Sequence, residues 1–168
     1  YSHLSFIIDI AQNLETKYYL KKLNTKKVIY IGNLKFAKSY NERLNKIDKN
    51  FKKELERKKV WVASSTHNNE ELFCIKAHVE LKKTVNNLLT IIIPRHVHRT
   101  QDIISQIKDL NLSFCVHSRR PKNLKNVDIY IVDTFGETQK FHKIGSSVFL
   151  GGSIINRGGQ NPLEAARY

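Results

Sequence analysis

The sequence predicts an α/β fold, a parallel sheet with helices on both faces. Three observations carry that prediction. Short runs that are apolar on both faces, such as Leu88–Ile93, alternate with amphipathic stretches such as Thr100–Leu110. No internal repeat or low-complexity linker breaks the alternation. Unusual polar motifs fall directly after the apolar runs, at the strand ends where open parallel sheets hold ligands.

The elements follow in order. Phe6–Ala11 reads as a strand, Leu14–Leu23 as a short helix and Val28–Ile31 as a second strand, closed by Gly32-Asn33. The Lys-rich block Lys35–Lys59 carries Leu44, Ile47, Phe51 and Leu55 at helical spacing. It reads as an amphipathic helix with a solvated basic face. Val60–Ala63 is the next strand. Glu70–Lys83 is helical, and Leu88–Ile93 is a strand stopped by Pro94. In Thr100–Leu110, Ile103, Ile104 and Ile107 share one helix face. Ser113–Val116, Val127–Val132 and Ser147–Leu150 complete the strands, and a last helix starts near Pro162.

Composition limits the function classes. The chain has 168 residues, enough for one domain or a domain plus a fragment of another. Lys and Arg number 29 against 15 Asp and Glu, a net charge of +14. That charge suits an anionic partner, although the Lys-rich face needs only solvent. No apolar run approaches the length of a membrane span, and Tyr1–Ile10 lacks the pattern of a secretory signal. Cys74 and Cys115 form no CxxC and read as reduced structural thiols, the usage of a cytosolic compartment. Walker A, GxGxxG, GxSxG and HExxH motifs do not occur. Zinc-finger spacing and RNP-like strands are also missing, so no nucleic-acid partner is expected.

The post-strand motifs hold the chemistry. Ser64-Ser65-Thr66-His67 precedes a helix, where hydroxyls and free N–H groups suit a phosphate or carboxylate. The same stretch also fits plain capping, with Asn68 and Glu71 at capping-box spacing. Pro94-Arg95-His96-Val97-His98-Arg99 concentrates cations and imidazoles in one loop. Arg binds oxyanions with two parallel hydrogen bonds. His96 and His98 could start a metal site, but spacing fixes no third ligand. Asp133–Glu137 reads as a turn with a capping box from Thr134 to Glu137. Gly151-Gly152-Ser153 and Gly158-Gly159-Gln160-Asn161-Pro162-Leu163-Glu164 bracket a loop. Capping explains Asn161, Pro162 and Glu164 there, but not two Gly-Gly pairs.

Taken in order, these segments resemble the transferases of 3-deoxy-D-manno-octulosonic acid (Kdo) in lipopolysaccharide synthesis. The resemblance rests on Ala11-Gln12, Gly32-Asn33-Leu34-Lys35-Phe36, Trp61–His67, Pro94-Arg95-His96, Asp133–Glu137, Gly151–Ser153 and Gly158–Glu164. It implies the GT-B fold, two Rossmann-like domains facing a cleft. Residues 1–34 would then be the tail end of the N-terminal domain. Residues 35–168 would be a C-terminal, donor-nucleotide-binding domain truncated at its end, so the chain is expected to be a middle section of a longer enzyme.

The resemblance further implies an inverting transfer of Kdo from CMP-Kdo to a lipid A precursor, at the cytoplasmic face of the inner membrane. No metal or cofactor beyond the donor is expected. The partners would be CMP-Kdo, the lipid A precursor, the N-terminal domain that holds the acidic base, and an anionic membrane surface. Arg95 and its neighbour His96 would meet the CMP portion, with Gly136 and Glu137 near the nucleotide. Gly152 of the glycine loop would bind the donor, Asn161 and Glu164 would hold the ribose, and Ser65 and Thr66 would meet a phosphate or carboxylate. Two departures stand out: Gln160 replaces the usual His, and Ala165-Ala166-Arg167 replaces Pro-Ala-Ala. The fragment alone is expected to be inactive. The alternatives are another GT-B enzyme with a different nucleotide sugar, and a non-enzymatic basic module for RNA or anionic membrane.

Overall fold

The computed structural model describes residues 8–32, 47–121, 123–156, 158–163, 165 and 166. Its contacts divide the chain into two units, Tyr1–Asn41 and Glu42–Tyr168. The expected domain boundary after Leu34, and the first half of the Lys-rich block, lie outside the described residues.

The first unit is a strand–helix–strand: β1 (Asp9–Ala11), α1 (Leu14–Lys22) and β2 (Val28–Tyr30). β1 and β2 pair in parallel, Asp9 opposite Val28. α1 starts where its sequence says it should, because the Asn13 side chain accepts a hydrogen bond from the Thr16 N–H at 2.6 Å.

The second unit is built on α2 (Lys49–Glu56), β3 (Lys59–Thr66), α3 (Glu70–Lys82), β4 (Leu88–Pro94), α4 (Thr100–Asp109), β5 (Phe114–Val116), β6 (Ile129–Ile131), α5 (Thr138–His142) and β7 (Ser147–Leu150). The five strands pair in parallel in the order β5-β6-β4-β3-β7. Period-two alternation sorts their side chains onto two faces. Val60, Val62, Leu89, Ile91, Tyr130 and Val132 pack with Leu55 of α2 and Phe141 of α5. Ala63, Ile92, Ile129 and Ile131 pack with Cys74 and Ile75 of α3 and with Ile103, Ile104 and Ile107 of α4. The expected parallel sheet with helices on both faces is therefore present.

Topology places a crevice. From β4 the chain leaves through α4 on one face toward edge strand β5. From neighbouring β6 it leaves through α5 on the other face toward the opposite edge, β7. The loops beyond β4 and β6 thus part in opposite directions and leave a gap between them.

Some expectations need correction. α5 was not legible: five residues are too few to show a period, and Thr134–Glu137 reads as a closed turn. Two of the predicted capping boxes, Asn68–Glu71 and Thr134–Glu137, do not form, and the third involves Glu164, outside the described residues. α3 begins after Asn69, which has positive φ and gives no side-chain cap, while Glu71 pairs with Arg99. Glu137 hydrogen-bonds the Thr134 hydroxyl side to side rather than capping a helix. The helix expected at Pro162 is described only as turns, with one helical bond from Ala166 N–H to the Pro162 carbonyl at 2.9 Å.

Candidate functional site

The crevice contains a cavity of about 380 Å³ lined by Ser65, Ile93, Pro94, Arg95, His96, Val97, Thr134, Phe135, Gly136 and Thr138. Three post-strand loops meet there. The β3 contribution depends on a bulge: pairing with β4 skips Ser65, which sits at φ +54. A bulge bends the strand and re-aims the side chain, and such irregularities concentrate at functional sites. Arg95 is tied to the same place, its N–H donating to the Thr66 carbonyl at 2.9 Å. The Arg95 side chain is exposed, as is Phe135 at 77%. A cation beside a bare aromatic ring suits an anionic ligand with a flat apolar part.

Behind Ser65 lie Thr66 and His67, 1% and 9% exposed. The Thr66 Oγ1 and His67 Nε2 atoms are buried without a hydrogen-bond partner among the described residues. Buried polar atoms are normally satisfied, so these two, next in sequence to Ser65 of the cavity wall, are candidates to meet a polar ligand group; Trp61 Nε1, His78 Nε2 and Gln106 Oε1 are unpartnered elsewhere among the described residues. The His67 and His96 rings stand edge to face at 6.0 Å, and His96 stacks on His98 at 5.6 Å. Among the described residues no three His, Cys, Asp or Glu side chains cluster as metal ligands.

Glu137 is engaged by residues of its own surroundings. Its carboxylate bonds Thr134 and Lys140 and accepts from His117 Nε2 at 2.7 Å. Burial acts to raise its pKa, but the hydrogen bonds from Lys140 and Thr134 win and hold it below the ordinary carboxylate value. Burial lowers the pKa of His117 against the pull of Glu137; its Nε2 faces the Glu137 carboxylate and its Nδ1 pairs with the Tyr130 hydroxyl, 2.6 Å away. Glu137 therefore braces the loop that carries Phe135 and Gly136 and does not line the cavity.

The remaining predictions divide. Ser65, Arg95, His96 and Gly136 share the cavity wall, with Thr66 directly behind. Gly152 contributes backbone: its N–H donates to Glu70 Oε2 at 2.8 Å and its carbonyl accepts from Gly159 N–H at 2.9 Å. Asn161 is exposed and caps locally, accepting from Leu163 N–H at 3.0 Å. Glu164 lies outside the described residues. A larger cavity of about 630 Å³, bounded by Phe51, His117, Arg120, Tyr130 and Lys140 among others, holds none of the predicted residues.

No protein-family profile matches the chain. A 3-deoxy-D-manno-octulosonic acid transferase of Haemophilus influenzae is 32% identical over 82% of this chain. One from Rickettsia felis is 35% identical over 88%. The crystal structure of the C-terminal CMP-Kdo binding domain of WaaA from Acinetobacter baumannii superposes with a TM-score of 0.62. That pair shares 28% identity, covering 66% of this chain and 58% of the other. This chain is a homologue of the Kdo transferases. It spans about a third of the length of those curated relatives, 32% of each.

Against this Kdo-transferase background, two residues of the site escape sequence reasoning. Phe135 sits inside a recognised motif, but an aromatic there reads equally well as core. Glu70 shows no signal at all, since an acid in the first turn of a helix is ordinarily a solvated partner of the helix dipole. Here it is 0% exposed.

Proposed function

We propose that this chain supplies the donor-binding part of an inverting Kdo transferase, which moves Kdo from CMP-Kdo to a lipid A precursor. The observation that carries the reading is the crevice itself. Arg95, bare Phe135 and the left-handed Ser65 loop line it. Thr66 and His67 stand behind with orphaned polar atoms. Kinship with a CMP-Kdo binding domain supports the choice of nucleotide.

The proposed chemistry assigns each part. Phe135 gives the cytosine a face to stack on. The Arg95 guanidinium holds the phosphate and stabilises the charge that grows on CMP as it leaves. The Ser65-Thr66-His67 loop presents hydroxyl and imidazole groups to the phosphate or the Kdo carboxylate. The acceptor hydroxyl loses its proton to a carboxylate of the N-terminal part of the whole enzyme. Its oxygen attacks the anomeric carbon, the bond from that carbon to the phosphate oxygen breaks, and the configuration inverts. In this reading the whole enzyme works at the inner-membrane surface, with the Lys-rich block toward anionic lipid.

Titration of the 168-residue chain with CMP, UMP, AMP and GMP in a thermal-shift assay tests the reading. CMP raises the melting temperature most, and Arg95→Ala removes the effect. An equal response to all four nucleotides, or an Arg95→Ala variant that responds like the parent, sinks it. The chain alone transfers no Kdo, and measurable turnover by it would also contradict the division of labour.

A further inference from the structure

Glu70, the first residue of α3, is a carboxylate wholly inside the protein near the crevice, as is its neighbour Glu71. Its Oε2 accepts two backbone hydrogen bonds, from His67 N–H at 2.9 Å and from Gly152 N–H at 2.8 Å. Its Oε1 lies 3.4 Å from Ile154 N. One carboxylate therefore joins the loop beyond β3 to the loop beyond β7. These two loops touch backbone to backbone. Gly151 N–H donates to the Ser64 carbonyl at 2.8 Å, and a Cβ on Gly151 would stand 2.0 Å from the Ser65 carbonyl oxygen. From Gly152 the connection continues to Gly159 and the segment bearing Asn161.

We propose that Glu70 is a positioning residue of the crevice: by spanning from His67 N–H to Gly152 N–H it sets the Ser65–His67 loop and the glycine segment in register for the ligand. The proposal rests on the nucleotide-binding reading for its ligand, but the tie itself is a property of this chain. Charge-assisted hydrogen bonds in a dry site are strong and directional, and losing the acceptor would strand two buried donors. What matters is reach. A Gln at this position keeps an oxygen where Oε2 stands and can accept both bonds. An Asp keeps the charge but is one methylene too short to span the two loops. Glu71, its neighbour, is spent differently, on Arg99 at 2.9 Å.

The experiment compares Glu70→Gln and Glu70→Asp in the 168-residue chain. CMP affinity is measured by calorimetry, and amide hydrogen exchange is read at His67, Gly152 and the β4 strand. Glu70→Gln is expected to stay within about threefold of the parent in affinity. Glu70→Asp is expected to bind CMP about tenfold more weakly. Its Gly152 amide should exchange about tenfold faster while β4 amides stay protected. Asp128→Asn, at the opposite end of the sheet, is the control for lost stability alone and should move neither readout. Glu70→Asp matching the parent, or Glu70→Gln failing as badly as Glu70→Asp, overturns the proposal. If the parent itself binds no CMP, the nucleotide reading falls, and the exchange contrast alone still decides the role of Glu70.

Discussion

The two ends of the five-stranded sheet differ in how their polar groups are used, although among the described residues each keeps an unpartnered buried atom, His78 Nε2 at the amino-terminal end and Thr66 Oγ1 and His67 Nε2 at the other. At the amino-terminal end, Asp128 just before β6 gathers its partners: Lys82 at 2.5 Å, Ser113 N–H at 3.0 Å and Ser113 Oγ at 2.8 Å. His78, wholly buried on α3, bonds Thr90 at 2.8 Å and faces Asp128 at 3.6 Å. At the carboxyl-terminal end, left-handed Ser65, Gly136 and Gly152 shape loops around an open crevice. Thr66 and His67 keep unsatisfied atoms there, and Arg95 points charge at solvent. Hydrogen bonds made at one end serve stability. At the other end, the unmade hydrogen bonds of Thr66 and His67 are the ones the proposed ligand would complete, at the desolvation cost of leaving them unmade.

The sharpest way to break this contrast is Gly151→Ala. The added Cβ would press on the Ser65 backbone, which cannot swing aside as a side chain can. The variant should lose about 3 kcal/mol in denaturant unfolding and its nucleotide response with it. Full stability in Gly151→Ala would show that the loops are not held in contact.

At the other end, Asp128→Ala should cost about 1–2 kcal/mol, a figure kept low because half of the Lys82 side chain is in water. CMP affinity should not change. A matching loss of affinity would mean that the two ends are coupled. Arg95→Ala should do the reverse and weaken CMP about tenfold with an unchanged melting temperature. Phe135→Ala should weaken CMP about fivefold through lost stacking. Because Phe135 is exposed, thermal stability should hold.

The smallest effect is acid sensitivity at the amino-terminal end. Burial lowers the pKa of His78 below 6.5, against the pull of Asp128 and helped by Lys82 and Lys58. The unfolded chain then binds a proton at a higher pH than the folded chain does. Stability should therefore fall as the pH drops from about 6.5 through the folded value. The Asp128 carboxyl, held down by Lys82 and Ser113 against its own burial, adds a further loss below 3.8. In His78→Gln the first of these slopes should flatten, which melting curves between pH 5 and pH 7 would read, while CMP affinity at neutral pH stays put.

Much of the fold was legible because its signals are local. Three isoleucines on one face marked α4, and unbroken apolar runs marked β4 and β7 as strands. β3 runs three residues past Ala63, because pairing with β4 carries the strand through its polar end to Thr66. Arg95 and Gly136 could be singled out because they sit in short motifs right after strands. Glu137 and Asn161 were assigned to a ligand from the same motifs, and the structure shows the local hydrogen bonds each makes. Which way a side chain turns depends on neighbours such as His117 and Lys140, and those lie outside any motif window.

The sequence alone determined the order of the strands and of the helices between them other than α5, the amphipathic faces and the loops that carry chemistry, because periodicity and post-strand position are written within ten or so residues. Only the tertiary structure decided which loops meet. Strand order brings the loops beyond β4 and β6 to one crevice, and a bulge turns Ser65 into it. Glu70 is the clearest case. Read locally it is one acid among the first-turn residues of a helix. It becomes a buried tie only because Gly152, 82 residues further along the chain, returns beside β3 and offers it a backbone N–H.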